Sequence, residues 1–374
     1  MKIAFIGTRG IPNSYGGFEQ FVEYLSVGLV EKGHEVYVYA PKNSLNEITY
    51  YKGVKIVYII NPEYYLGPFA NFIYDWLSLK DAIKYNFDII YQAGYQSSAI
   101  SICYYKKYNP SIVVTNMDGI EWKRSKWNYY VKLATKFFEK LAVKYSDYLI
   151  SDNIGIQKYY KETFNKESFF MPYGANISNS FKEKHLLSYN LNRKKYYLII
   201  ARIEPENNIE MIIDGFINSN SNKKLVVVGN NNNSYGKKLT KKYKKYNLIK
   251  FIGSIYNIDI LNSLRFFSIS YFHGHSVGGT NPSLLEAMAS KVFIISHDNI
   301  FNRSILKNNC KYFKTSMDIT NIINSKINSI KTRKSIVNNL YLLKEKYSWK
   351  TIINSYEDLF YSLTNNENYN NNTK

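Results

Sequence analysis

The sequence predicts an α/β protein of two Rossmann-like, doubly wound domains facing a cleft. Three observations carry that expectation. The chain opens on a strand, helix and strand pattern over Lys2 to Ile6, Phe18 to Val30 and Val36 to Ala40. A second series restarts at Tyr196 after a polar stretch. Its most regular part, ISYFHGHSVGGTNPSLLEAMASKVFIISHD from Ile269 to Asp298, reads as strand, helix and strand with almost no linker, as in a parallel sheet unit. A length of 374 residues exceeds what one simple core organises, which agrees with two domains.

In the first half, Lys2 to Ile6 is an apolar run suited to a buried strand, and Phe21, Val22, Leu25 and Leu29 share one face of the helix that Gly33 ends. The loop between them, GTRGIPNSYGG, lacks the GxGxxG spacing, and no acid closes the second strand, which argues against a plain NAD site. Gly16 and Gly17 at the helix start let a ligand approach the backbone, and Arg9 can neutralise a phosphate; a tight turn is the alternative for the glycine pair. Val54 to Ile59 and Asp88 to Gln92 are further strands, and YYLGPFANFIYDWL between them carries aromatics able to stand exposed. After the strand Ser111 to Val114, the loop Thr115 to Glu121 contains Asp118, placed to handle an acceptor hydroxyl or orient a donor sugar, or else to cap a helix.

Trp122, Lys123, Arg124, Lys126 and Trp127 then lead into a helix. There Leu133, Phe137 and Leu141 recur at helical spacing beside Lys132, Lys136, Lys140 and Lys144. Tryptophans and a basic stripe next to an apolar face fit a helix lying on an anionic membrane surface; a core helix with a solvated face is the alternative. Tyr148 to Ser151 and Ser168 to Met171 complete the strands of this half. The polar stretch His185 to Lys195 is the expected linker, so the domains are set at residues 1–188 and 189–345, with a returning helix at 346–364 and a disordered tail at 365–374.

In the second half, Tyr196 to Ala201 ends in Arg202, whose fork of donors suits a phosphate or an ion pair with Glu204 or Glu206. Ile209, Ile212, Ile213 and Phe216 make a helical stripe. Leu225 to Gly229 and Ile249 to Gly253 are strands, and Ser254, Ile255 and Tyr256 follow where they can flank a nucleobase. The loop bearing His273, His275, Gly278, Gly279, Thr280 and Asn281, with the free N–H groups of the helix begun by Pro282, suits a diphosphate. Glu286, an acid in a packing segment, needs a partner such as ribose hydroxyls, unless it is simply solvated. Asp318 to Ile330, Ser335 to Lys344 and Trp349 to Leu363 are helical, the last long enough to dock back across the first domain.

A formal charge of +20 points to a polyanionic neighbour, nucleic acid or an anionic bilayer, although Lys, Asn and Tyr usage can produce part of it. Its basic and aromatic residues form no RNA-binding motif, and nucleic-acid binding leaves the glycine loops unexplained. No apolar run is long enough to cross a membrane, and the N-terminus enters a strand without a signal-peptide layout. Cys103 and Cys310 have neither metal nor redox spacing, the five histidines are scattered, and no DxD-like pair follows a strand, so no metal is expected.

Around Arg202, ARIEPENNIEMIIDGF, and around Glu286, GGTNPSLLEAM, resemble family-4 glycosyltransferases of the two-Rossmann-domain GT-B type. The stretches GTRGIPNSYGGFEQFVEYL and DGIEWKRSKW resemble, more narrowly, bacterial rhamnosyltransferases that build capsule, O-antigen or related surface polysaccharides. The resemblance implies that Glu286 is the second acid of a paired-glutamate motif and holds the donor ribose, with Gly278 where the first acid would stand. It implies that Arg202 clamps phosphate, that Asn207 replaces its lysine partner, and that Gly16 and Gly17 face the diphosphate. Ile255, His275, Gly279, Thr280 and Asn281 complete the expected donor site. Asp118 and Arg202 are the expected catalytic residues, and the Trp122 to Trp127 stretch lies on the acceptor or membrane side.

The implied activity is metal-free, retaining transfer of L-rhamnose from dTDP-L-rhamnose to an undecaprenyl-diphosphate-linked saccharide, at the cytoplasmic face of the membrane, with no nucleic-acid partner. Without a carboxylate pair for double displacement, the departing phosphate oxygen is the simpler base for the incoming hydroxyl. A family-4 enzyme using a UDP-hexose or UDP-N-acetylhexosamine is the enzymatic alternative, and a basic nucleic-acid-binding protein the alternative from another class.

Overall fold

The computed structural model describes residues 1–13, 16–42, 48–117, 119–124, 127–325 and 329–371, the last six as backbone alone. The chain forms two compact units, Met1–Trp122 with Asn128–Tyr173 and Trp349–Lys374, and Lys123–Trp127 with Gly174–Ser348. Each is an α/β unit on a doubly wound sheet, the class the sequence predicts.

The strands of the first unit are β1 (Lys2–Ile6), β2 (Glu35–Pro41), β3 (Tyr50–Tyr51), β4 (Val54–Ile59), β5 (Ile89–Ala93), β6 (Ile112–Asn116), β7 (Tyr148–Ser151) and β8 (Phe169–Phe170). Among the described residues they form an eight-stranded sheet in the order β3-β4-β2-β1-β5-β6-β7-β8, parallel throughout except for β3 against β4. Helices cover both faces, so β1 is an unbroken apolar run, with Ile3, Ala4, Phe5 and Ile6 fully buried. Alternation then divides them. Ala4 and Ile6 join Tyr39, Leu79, Ile90 and Ile102 in one core layer. Phe5 stacks toward Tyr91 at 5.2 Å on the other side, where Phe21 of the helix Gly17–Glu31 lies 5.4 Å from Tyr356.

Tyr356 belongs to the long helix Trp349–Asn371, which packs within this first unit. Trp349 stacks on Tyr24 at 4.5 Å, and Glu357 pairs with Lys32 at 2.6 Å and His34 at 3.0 Å.

In the second unit β9 (Tyr196–Ile200), β10 (Lys224–Val228), β11 (Ile249–Phe251), β12 (Tyr271–His273), β13 (Ile294–His297) and β14 (Lys311–Phe313) form a parallel six-stranded sheet. Its order is β11-β10-β9-β12-β13-β14, the doubly wound order of dinucleotide-binding folds. The stripe Ile209, Ile212, Ile213 and Phe216 packs on Tyr197, Ile199 and Phe272, as its spacing requires. Residues 185–195 lie in this unit, with Leu186 and Leu191 buried, while Lys194 donates to the carbonyls of Phe266 at 2.9 Å and Ser268 at 2.6 Å.

Two strands start later than their apolar runs suggest. The first ladder pair between β12 and β13 is Tyr271 with Ile294, so Ser268 to Ser270 and Val292 to Phe293 precede the ladder. That shift brings His273 and His297 to the carboxyl ends of their strands, where ligands bind in such sheets.

Candidate active site

In the second unit β9 and β12 are neighbours, yet the chain leaves β9 for β10 and β11 before returning as β12. At such a switch point the two loops diverge and open a crevice outside the strand ends. The loop after β9 carries Arg202, Glu206, Asn207 and Asn208, and the loop after β12 carries Gly274 to Asn281. They are stitched together. Ser276 donates from both its N–H and its Oγ to the Glu206 carbonyl, at 3.0 and 2.8 Å, and Asn208 Nδ2 donates to the Gly274 carbonyl at 2.8 Å. A Cβ at Gly274 would stand 2.0 Å from the Asn207 carbonyl oxygen, so only glycine permits this approach.

Arg202 is exposed, and among the described residues nothing pairs with its guanidinium. The alternative ion pair with Glu206 is not made: the buried Glu206 carboxylate faces Arg124 Nη1 at 3.8 Å. Asn207, where the resembled motif has lysine, is buried and donates from Nδ2 to the Arg202 carbonyl at 2.7 Å. That position braces the loop that presents Arg202 and adds no charge.

Arg124 belongs to the short stretch Lys123–Trp127, which groups with the second unit. The group assigned to an acceptor or membrane side is therefore divided. Trp122 stays in the first unit, its Nε1 donating to Tyr159 at 3.3 Å and Lys136 Nζ lying 4.0 Å from its ring centre. Lys123 is exposed and Trp127 half-buried. Asp118 and Lys126 lie outside the described residues.

His275 is held inside the β12 loop, its ring stacked on that of His273 at 4.4 Å and 14°. Both ring nitrogens of His273 and Nδ1 of His275 are buried without a hydrogen-bond partner among the described residues. Burial, followed by the charges of Arg202 and Arg124, lowers the His275 pKa to about 3. Burial, then His275 and His297, holds His273 well below the usual imidazole range. Both rings are neutral at physiological pH.

A consequence for stability follows from linkage. Between pH 6.5 and about 3 the unfolded chain takes up protons at these positions that the fold refuses, so stability falls on acidification. For His275 the loss from pH 7 to pH 5 is about 2 kcal/mol. Urea unfolding at pH 5, 6 and 7 should show His275→Gln losing less than the parent protein by that amount; equal losses would place the His275 pKa near its ordinary value. No inflection from His275 is expected in the rate between pH 5 and 8.

The helix Pro282–Ala289 begins on Asn281, whose Oδ1 accepts from Ser283 N–H at 3.0 Å and Ser283 Oγ at 2.9 Å. The cap thus occupies the Asn281 side chain expected to meet the donor. Tyr271 braces the same turn, donating to the Ile200 carbonyl at 3.1 Å with its hydroxyl 3.1 Å from Ser283 Oγ. Gly278 sits at φ +122, a conformation that residues with side chains rarely adopt. The acid of the resembled motif would be strained there, which accounts for its absence. Gly279 is half-buried beside it and Thr280 is buried.

Glu286, one turn further, has a partner that the sequence did not announce. Arg265, with no exposed surface, directs Nη2 to Glu286 Oε2 at 2.5 Å and Nη1 to Asn262 Oδ1 at 3.2 Å. The signal was present in the helix Ile258–Phe267, where an arginine stands among Leu261, Leu264 and Phe267. A guanidinium on an apolar face requires a buried acceptor.

Of the remaining expected donor contacts, Ile255 is half-buried after β11, whose strand is separated from the switch point by β10 and β9. In the first unit Arg9 pairs with Glu63 at 2.7 Å, and its N–H donates to Glu19 at 3.1 Å. Gly16 caps the helix Gly17–Glu31, its carbonyl accepting from Gln20 N–H at 3.1 Å. Among the described residues, no group of three His, Cys, Asp or Glu is arranged to hold a metal ion.

Residues 1–176 match the family model described as a domain of unknown function (DUF1972), and residues 182–341 match glycosyl transferases group 1. No curated protein matches the chain. Among solved structures, sucrose-phosphate synthase from Thermosynechococcus elongatus is 15% identical over 97% of this chain and 98% of its own, with a TM-score of 0.80. HepE from Anabaena, in complex with UDP-glucose, is 15% identical over 97% of this chain and 100% of its own, with a TM-score of 0.75. A trehalose-6-phosphate structure from E. coli bound with UDP-2-fluoro glucose is 9% identical over 96% and 99%, with a TM-score of 0.72. These likenesses show the fold, which is GT-B.

They also correct the narrower expectation. The match over residues 182–341 is to group 1, and two of the similar structures above hold UDP-glucose or a fluoro analogue of it, which overturns both the family-4 rhamnosyltransferase assignment and the dTDP-L-rhamnose donor. In the structure the Arg202 and Glu286 motifs supply loop braces through Asn207 and Asn208 and a helix cap through Asn281.

Proposed function

We propose that the protein is a glycosyltransferase that moves a hexose from a UDP-hexose to a lipid-linked saccharide. The observation that carries this reading is the exposed Arg202, its guanidinium unpaired among the described residues, beside the half-buried, neutral His275 at the β9/β12 switch point. Arg202 and the positive end of the helix Pro282–Ala289, whose first N–H groups are taken by Asn281, stabilise the UDP diphosphate as its charge grows. His275, unable to take a proton there, hydrogen-bonds a sugar hydroxyl. Glu286, positioned by Arg265, accepts from the ribose hydroxyls. Arg9, Gly16 and Gly17 are the first unit's proposed contacts to the donor, and Asp118 orients the acceptor. The acceptor oxygen bonds to the anomeric carbon as the carbon–oxygen bond to the diphosphate breaks, and the departing phosphate oxygen takes the hydroxyl proton.

An undecaprenyl-diphosphate-linked acceptor at the anionic cytoplasmic leaflet is supported by the helix Tyr129–Tyr145. Its buried residues are Thr135, Glu139, Ala142 and Val143, whereas Leu133 and Phe137 are half-exposed beside Lys136 and Lys140. No helix among the described residues is long and apolar enough to cross a membrane.

A donor panel tests the reading: UDP-glucose, UDP-galactose, UDP-N-acetylglucosamine, GDP-mannose and dTDP-rhamnose, each with a lipid-linked monosaccharide and product mass as the readout. A hexose added from UDP-glucose or UDP-galactose is the expected result. No turnover of any UDP-sugar across several acceptors would remove it.

A further inference from the structure

Soon after β4 the chain makes two short helical turns, Glu63–Leu66 and Gly67–Phe69, before the helix Ala70–Ala82. Neither turn contains a buried residue. Tyr64 is 93% exposed, Tyr65 83% and Phe69 74%, values that leave three aromatic rings almost entirely in water. A cluster of large rings that the fold does not cover marks a surface built for contact.

We infer that this aromatic turn is a second element of the membrane contact, inserting into the headgroup layer of an anionic bilayer beside the helix Tyr129–Tyr145. The inference rests on the membrane reading proposed above and adds to it the segment that enters the lipid. Continuity is the first argument. Phe72, one turn into the helix that follows, lies 5.3 Å from Phe138, whose neighbour Phe137 is among the exposed residues of the basic helix.

Charge is the second argument. The basic helix offers Lys132, Lys136 and Lys140, and its acid, Glu139, is buried against the hydroxyls of Tyr159 at 3.1 Å and Tyr160 at 2.9 Å. In the aromatic segment Glu63 is neutralised by Arg9 at 2.7 Å, and Asp75 is buried with Ser97 Oγ donating to it at 2.5 Å. Lysines are thus presented to the bilayer, and these carboxylates are withheld from it. Ring chemistry is the third argument: tyrosine, with an apolar body and a polar tip, suits the membrane–water boundary.

The test is flotation of the full chain with vesicles of phosphatidylcholine containing phosphatidylglycerol, and with phosphatidylcholine alone. The parent protein should bind the anionic vesicles, and Tyr64→Ser, Tyr65→Ser and Phe69→Ser together should weaken that binding at least tenfold at both low and high salt. The triple change Lys132→Glu, Lys136→Glu and Lys140→Glu should weaken it mainly at low salt, where charge acts. Circular dichroism and transfer to a water-soluble acceptor analogue should be unchanged by the aromatic substitutions. If the lysine variant loses binding and the aromatic variant keeps it, the turn has no part in the contact while the membrane reading stands. If the parent protein ignores anionic vesicles, both fail. A concentration-dependent dimer abolished by the aromatic variant, with vesicle binding intact, would assign the patch to a second copy of this chain and overturn the inference.

Discussion

Arg202→Ala is expected to lower the rate of sugar transfer at saturating acceptor by about 10²- to 10³-fold, the range for losing one preorganised donor to a developing anion. The size of the effect comes from the surroundings of the guanidinium. No carboxylate among the described residues competes for it, since Glu206 faces Arg124. The loop presenting it is fixed by Asn207 through the Arg202 carbonyl and by the Ser276 bonds to Glu206. Lysine at this position keeps the charge and loses the fork, so Arg202→Lys should recover only part of the rate. Asn207→Ala removes one buried hydrogen bond, about 1 kcal/mol of local stability, and should slow transfer far less than Arg202→Ala. Single-turnover rates for the three variants are the measurement, and an unimpaired Arg202→Ala enzyme would end the assignment.

The second large effect is expected at Arg265. Its guanidinium is wholly buried against Glu286, so Arg265→Met leaves a partly buried carboxylate without its cation. Breaking such a pair from one side costs about 3–5 kcal/mol. Replacing both partners, Arg265→Met with Glu286→Gln, should recover most of that stability because no lone charge remains. The two losses separate function from folding. UDP affinity, measured by calorimetry, should be weakened by Glu286→Gln alone and should stay weak in the stable double variant. Full UDP affinity in the double variant would make the pair purely structural, and an Arg265→Met protein as stable as the parent would show that the pair carries no stability.

Much of the architecture was legible because both sheets are covered on two faces. Continuous apolar runs then mark strands directly, and β1, β4 and β7 have the limits that their residues suggest. The start of the helix Pro282–Ala289 was equally plain, since proline in a first helical turn needs no hydrogen-bond partner. The edge strand β3 was not legible, because Tyr50–Tyr51 is too short to show alternation and exists through its pairing with β4. The sugar was the point at which sequence pattern misled. The stretches GTRGIPNSYGGFEQFVEYL and DGIEWKRSKW pointed to rhamnose, whereas two of the similar structures hold UDP-glucose or a fluoro analogue of it.

By itself, then, the sequence determined the two Rossmann-like sheets, their order along the chain and the loops at their carboxyl ends, because these follow from local periodicity and turn chemistry. Only the tertiary structure decided which side chains in those loops are free to act. Glu286 acquires Arg265, Asn281 is taken by its cap, Glu206 turns to Arg124, and Arg202 is left open. His275 becomes a neutral imidazole through burial and the two arginine charges. Leu133 and Phe137, spaced like core residues, stand in solvent because Thr135, Glu139, Ala142 and Val143 of the same helix are the ones buried. Each of these depends on partners distant along the chain or on the depth of burial, and neither quantity is encoded in local spacing.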